Sequence, residues 1–283
     1  MAQANVNGVR IFYEIAGVGE IPLVLVHGSW SSHHTWDRVV PGLAKSFRVL
    51  TYDRRGHSQS QHVSTQGSVR EDVADLAALL EQLGLAPAWV GGNSFGGSIT
   101  LRLAAEHPDL FRGLITHEPP LFALLGDDPA MAPTLADVGR RVRAVVARIA
   151  AGDNAGAAEQ FVETVAFGPG TWTTLPPDLR QTFIENAPTY LDEANDPEQI
   201  TFDLDWINAF PPPALLTIGD QSPATFAPVV ARLATALPRA EIHTFHGAGH
   251  NPQGTHPDAY VETITAFARK HTEGHAFTGQ AAG

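Results

Sequence analysis

The chain contains no cysteine, which excludes disulfides, thiol nucleophiles and cysteine-ligated metals. That suits a reducing compartment, and a cytoplasmic location is expected. Basic residues are scarce: 18 Lys and Arg stand against 30 Asp and Glu, a net charge of -12. With no basic run to neutralise phosphates, nucleic acid and anionic membrane surfaces are poor partners. No apolar run approaches the ~20 residues of a membrane span. The opening Met1-Ala2-Gln3-Ala4-Asn5 has neither the positive flank nor the apolar stretch of a signal peptide. The spacings H-x-H-x-D and H-E-x-x-H are missing despite 13 histidines, so no metal is expected. What is present is 283 residues, 43% of them hydrophobic, enough for one large domain with a sizeable core.

Periodicity organises that core. Residues 5–16 alternate around Asn7-Gly8, the signal of a type I′ hairpin. Continuous apolar runs at 22–27, 47–52, 88–91 and 113–116 read as strands covered on both faces. Helical spacing over 34–45, 68–83 and 98–107 separates them. Strand-helix alternation of this kind predicts a mostly parallel, doubly wound sheet. After Glu118-Pro119-Pro120 the alternation stops. Residues 121–210 carry helical patterns (132–151, 155–167, 177–187 and near 203–209) punctuated by Gly and Pro. The segment is too long and too patterned for a loop. Alternation resumes with a strand at 214–218, a helix at 224–237, a strand at 241–245 and a helix at 257–270. Residues 1–120 and 211–272 therefore form one α/β core, interrupted by a helical insertion at 121–210. The polar tail 273–283 is expected to be disordered.

The chemistry centres on Gly92-Asn93-Ser94-Phe95-Gly96-Gly97, which fits the G-x-S-x-G pattern of a nucleophile elbow. A serine there sits in a strained strand-to-helix turn, and its neighbours two residues away must lack bulk. The bland alternative is a Gly-rich turn that closes packing or binds phosphate. A serine hydroxyl needs a base within reach. The candidate is His250 in Gly247-Ala248-Gly249-His250-Asn251-Pro252, on the loop before the last helix; the alternative is a surface histidine. Most other histidines, His57 among them, are expected to face water or cap turns. An oxyanion hole needs two N–H groups. Phe95, directly after the serine, supplies one, and Ser29 in His27-Gly28-Ser29-Trp30 the other, unless that is an ordinary strand-ending turn.

In order and spacing, strand-His27-Gly28, Tyr52-Asp53-Arg54-Arg55-Gly56-His57-Ser58, the serine motif and Gly249-His250 resemble the α/β-hydrolase superfamily with a helical cap. The likeness covers residues 6–271 and is specific for fold rather than substrate. It implies a Ser-His-acid triad with Ser94 and His250, no cofactor, and a structural role for the 55–58 turn. The acid stays open. In this superfamily it usually follows the strand at 214–218, about three residues past a glycine, but that position is Ser222; Asp220 comes two residues early. Glu118, at the end of the 113–116 strand, occupies a place used by other members, and it is favoured over Asp220. Serine as nucleophile sets the chain apart from the aspartate-based dehalogenases and epoxide hydrolases. The resemblance then implies hydrolysis of a carboxylic ester or lactone. Alternatives are carbon–carbon bond hydrolysis of meta-cleavage products, a cofactor-free perhydrolase or haloperoxidase, and a receptor with little turnover. The expected partner is a small molecule, mostly apolar acyl or aromatic, with Trp30, Phe122, Trp172 and Trp206 as candidate pocket residues. A homo-oligomer is compatible with all of this.

Overall fold

Asn7 and Gly8 both take positive φ, 45° and 81°, as a type I′ turn requires. They join β1 (Ala2–Val6) to β2 (Val9–Ala16) in an antiparallel pair. The computed structural model of the protein describes residues 2–63 and 65–276. Next come β3 (Pro22–Val26), a short α1 (Val40–Leu43), β4 (Arg48–Tyr52), α2 (Val69–Gln82), β5 (Ala88–Asn93), α3 (Phe95–Glu106) and β6 (Phe111–His117). The central strands are buried on both faces, as their unbroken apolar runs demand. A capping box starts α2: Ser68 Oγ accepts from Glu71 N–H, and the Glu71 carboxylate accepts from Ser68 N–H.

Between β6 and β7 the chain is helical: α4 (Ala132–Ala150), α5 (Asn154–Phe161), α6 (Thr171–Thr174), α7 (Pro177–Asn186) and α8 (Thr189–Asn195). The remainder is β7 (Ala214–Gly219), α9 (Phe226–Ala236), β8 (Ala240–Phe245), α10 (Pro252–Thr255) and α11 (Pro257–Ala276). Among the described residues eight strands form one sheet in the order β1-β2-β4-β3-β5-β6-β7-β8. It is parallel from β4 to β8. One apolar cluster includes residues of α2, α3 and α9. A second joins Trp36 and α1 to Tyr260, Ile264 and Phe267 of α11. A third lies among α4, α5, α7 and α8 and takes in Trp30. Among the described residues no helix is long and apolar enough to cross a membrane.

Several expected boundaries move. The helix expected over 34–45 splits into a 3₁₀ turn (His33–Trp36) and α1, because Pro41 at the start of α1 has no N–H to continue the ladder. The helix expected over 155–167 is α5 followed by a π-helical turn at Val162–Ala166, a feature frequent at functional sites. The helix expected at 98 begins instead at Phe95, directly behind Ser94. Helix α8 was not expected; its seven residues bury only Tyr190 and Glu193, too short a pattern to read as periodic. Of the tail expected to be disordered, 273–276 continue α11, and 277–283 lie outside the described residues.

Candidate active site

Sheet register builds the site. Strands β5 and β6 pair Asn93 with His117, so Ser94 and Glu118 leave neighbouring strands at the same level. Ser94 N–H donates to His117 O at 2.8 Å. Both residues are strained: φ is 56° at Ser94 and 46° at Glu118. With Trp30 (φ 66°) they are three of the five described non-glycine residues at positive φ, so the strain concentrates where chemistry is expected. The glycines flanking Ser94 are required. A Cβ on Gly92 would sit 2.3 Å from Gly96 O, and one on Gly96 would sit 2.2 Å from Val26 O. A Cβ on Gly28 would stand 2.9 Å from Ser94 Cβ, so glycine lets the turn after β3 close on the serine. Phe95 is the first residue of α3, where helix geometry leaves N–H groups without intrahelical partners. Ser29 lies alongside, half-buried, its hydroxyl hydrogen-bonded to the Glu193 carboxylate.

His250 is held on three sides. Its Nδ1 lies 2.6 Å from Glu118 Oε2, its carbonyl accepts from Asn93 Nδ2 at 3.1 Å, and its ring stacks on Phe226 at 4.4 Å. Glu118 is fully buried, and its other oxygen accepts Gly219 N–H at 2.7 Å. Burial by itself would raise the Glu118 pKa, but bonding to His117 and His250 outweighs it and holds the carboxyl below its usual range. His117 is also buried; its Nδ1 is 2.9 Å from Thr217 Oγ1 and its Nε2 is 3.4 Å from Glu118 Oε2. Burial lowers its pKa. The ligand atoms of His117, Glu118 and His250 lie within 4.8 Å of one another, close enough for a metal. Glu118, however, already spends one oxygen on Gly219 and the other on His250.

Two cavities meet at Ser94 and His250. The larger, 310 Å³, is walled by Pro120, Phe122, Leu135, Val142, Ile200 and Phe226. The smaller, 50 Å³, is lined by Thr35, Asn93, Asn251, Leu175, Leu179 and Phe183 among others. A separate polar cavity of 310 Å³ at Arg55, His57, Glu71 and Asp192 shares no lining residue with either.

The model of the alpha/beta hydrolase fold family matches residues 21–257. The chain belongs to this family. It is 38% identical over 123 residues to the uncharacterized hydrolase YraK of Bacillus subtilis, covering 43% of this chain and 45% of YraK. The match thus spans under half of that relative. A non-heme chloroperoxidase of Streptomyces lividans is 27% identical over 93% of this chain and 97% of its own. Among solved structures, the enol-lactonase of Burkholderia xenovorans LB400 superposes with a TM-score of 0.76 at 21% identity, over 94% of this chain and 99% of that one. At that identity the likeness is one of fold.

Within this alpha/beta hydrolase, Ser94, His250, Ser29 and Phe122 line the larger cavity, and Glu118 stands behind His250. Asp220 does not reach the imidazole. It is exposed and accepts from Gly247 N–H at 2.8 Å and pairs with His246 Nδ1 at 3.0 Å, which makes it a clamp on the start of the neighbouring loop after β8, the loop that carries His250. Three of the four expected pocket residues line neither cavity. Trp30 is fully buried behind the wall, stacked on Phe161 at 4.8 Å and 5.0 Å from Tyr190. Trp172 packs into the helical cluster under Arg180. Trp206 is 47% exposed beside Phe202 and Arg70. His57 does not face water: it is buried, its Nδ1 bonds the Arg55 carbonyl of its own turn at 2.9 Å, and its Nε2 lies 3.0 Å from Thr189 of α8.

Sequence reasoning missed His117, because the strand was expected to end at 116, and Phe226, which falls inside the helix expected at 224–237. It also missed Glu193, which bridges Ser29 and Arg54 Nη2, the latter at 2.9 Å. Arg54 in turn pairs with Asp72 at 2.9 Å. No local signal pointed to Glu193, because the burial of Arg54 that demands a carboxylate partner appears only in the fold.

Proposed function

We propose that this protein hydrolyses a carboxylic ester or lactone through an acyl-enzyme on Ser94, with His250 as general base and acid and Glu118 as its orienting carboxylate. The observation that supports this most is the 2.6 Å contact between Glu118 and His250 Nδ1, beside a serine that lines the same cavity as the imidazole. With Nδ1–H donated to Glu118, Nε2 is left as the acceptor for the Ser94 proton. Ser94 Oγ attacks the carbonyl carbon and its proton passes to His250. The carbonyl oxygen takes the negative charge and is met by the Phe95 and Ser29 N–H groups. Collapse expels the alcohol, which takes the proton from His250 and leaves the acyl group on Ser94. A water then gives a proton to His250 and attacks the acyl carbon. Ser94 leaves with that proton and the carboxylic acid is released.

Residues 121–210 are assigned as a cap over this site, supported by the share of the larger cavity's wall that α4, α5 and the π turn supply. Carbon–carbon hydrolysis of meta-cleavage products is less well supported. Such products carry a carboxylate, and no Lys or Arg is among the residues lining either cavity at Ser94.

A fluorophosphonate should add once, at Ser94, and block turnover of simple esters. Ser94→Ala should lower kcat by about 10³–10⁶. Labelling at another residue, or full ester turnover by Ser94→Ala, would sink the proposal.

A further inference from the structure

The two cavities at Ser94 differ in size and in kind. They share Ser29, Ser94, Phe161, Ala166 and His250, so the reacting carbon sits between them. The 310 Å³ cavity is about six times the volume of the 50 Å³ cavity. The larger is apolar along most of its wall. The smaller has Thr35, Asn93 and Asn251 as well as Leu175 and Leu179 among its lining residues.

We infer that the substrate is an ester of a medium-chain or aromatic carboxylic acid with a small alcohol, the acyl group filling the larger cavity and the alcohol the smaller. This rests on the acyl-enzyme reading above. The direction follows from what each half must do. The acyl group stays bound through the second half of the reaction, and apolar walls hold it. The alcohol leaves carrying a new hydroxyl, and a water must take its place beside His250. Polar groups suit that side: Thr35 and Asn93 are among its lining residues, and side chains of these types can exchange hydrogen bonds with a hydroxyl or a water. The acyl group should also be uncharged, because no Lys or Arg lines the larger cavity.

Ethyl octanoate and octyl acetate test this directly, because they have the same atoms with the long chain on opposite sides of the carbonyl. The expected kcat/KM for ethyl octanoate exceeds that for octyl acetate on the order of 10- to 100-fold, the scale on which apolar pockets discriminate chain length. Octyl acetate would have to place its eight-carbon chain in the smaller cavity. Leu179→Ala, which widens the smaller cavity, should raise kcat/KM for butyl octanoate relative to ethyl octanoate by roughly 3- to 10-fold. Equal rates for the isomers, or a preference for octyl acetate, overturn the assignment of the cavities. If ethyl butanoate is still turned over at Ser94 in that case, the ester reading survives alone. If no ester is turned over, both fall.

Discussion

Replacing Glu118 by Gln changes one atom and removes one charge, and the neighbouring groups dictate how the new amide must sit. Glu118 Oε1 accepts Gly219 N–H at 2.7 Å, so the amide oxygen of a glutamine must take that place; the flipped amide would set two donors against each other. The NH₂ group is then forced toward His250 Nδ1, where Glu118 Oε2 stood 2.6 Å away. An amide donor there stabilises the tautomer with Nδ1 unprotonated and Nε2–H facing Ser94, which cannot accept the serine proton. The site is fully buried, so water cannot substitute for the lost acceptor. Glu118→Gln should therefore lower kcat by about 10²–10⁴, equivalent to about 2.7–5.4 kcal/mol in the barrier, with KM little changed. Asp220→Asn should cost less than about 3-fold, because Asn Oδ1 still accepts Gly247 N–H and no contact reaches His250. The assay is initial rates on one ester for both variants, with thermal melts to confirm that each is folded. If a folded Glu118→Gln keeps more than about a tenth of wild-type kcat, or if Asp220→Asn is the worse variant, the tautomer argument is wrong.

Two further outcomes stem from buried groups. His27 is fully buried, its Nε2 accepts Arg54 N–H at 3.0 Å and its Nδ1 bonds Gly28 O at 2.8 Å; burial first, and the Arg54 charge second, lower its pKa to about 3 from 6.5. Below pH 6.5 the unfolded imidazole takes a proton that the folded one refuses, so this site removes stability as pH falls, by about 1.4 kcal/mol per pH unit. Urea titrations should show a shallower loss between pH 6.5 and 4 for His27→Gln than for wild type; parallel losses would refute it. Gly96→Ala drives a Cβ to 2.2 Å from Val26 O, a backbone atom that cannot step aside, so it should cost about 3 kcal/mol and lower Tm by roughly 6–12 °C. A melt within 2 °C of wild type, judged on that same scale, would show that the elbow has slack.

How much was legible beforehand differs from element to element. The central strands and the helices on both faces were readable because periodicity and unbroken apolar runs are local signals. The type I′ turn was readable because Asn7-Gly8 is its own signature. The candidate nucleophile was readable because close backbone crossing leaves glycine as the residue that fits at 92 and 96. The choice between Glu118 and Asp220 was not, because two carboxylates on adjacent loops look equivalent until register is known. It is the pairing of His117 with Thr217 across β6 and β7 that brings Gly219 N–H to Glu118, while Asp220 is spent on Gly247 in the loop after β8.

The pocket was the least legible part. Aromatic identity says that a side chain is large and apolar, but not which surface it covers. Trp30 lies under Phe161 and Tyr190, while Trp206 sits outside beside Arg70. The sequence by itself determined the alternation of elements, the helical insertion and the serine turn, all of them encoded in short stretches of neighbouring residues. Only the tertiary structure decided which carboxylate stands behind His250 and where the two cavities lie. Those depend on residues far apart in the chain, among them Ser94 with Glu118, Ser29 with Glu193 and Phe226 with His250, whose meeting is set by strand register and helix packing rather than by any local pattern.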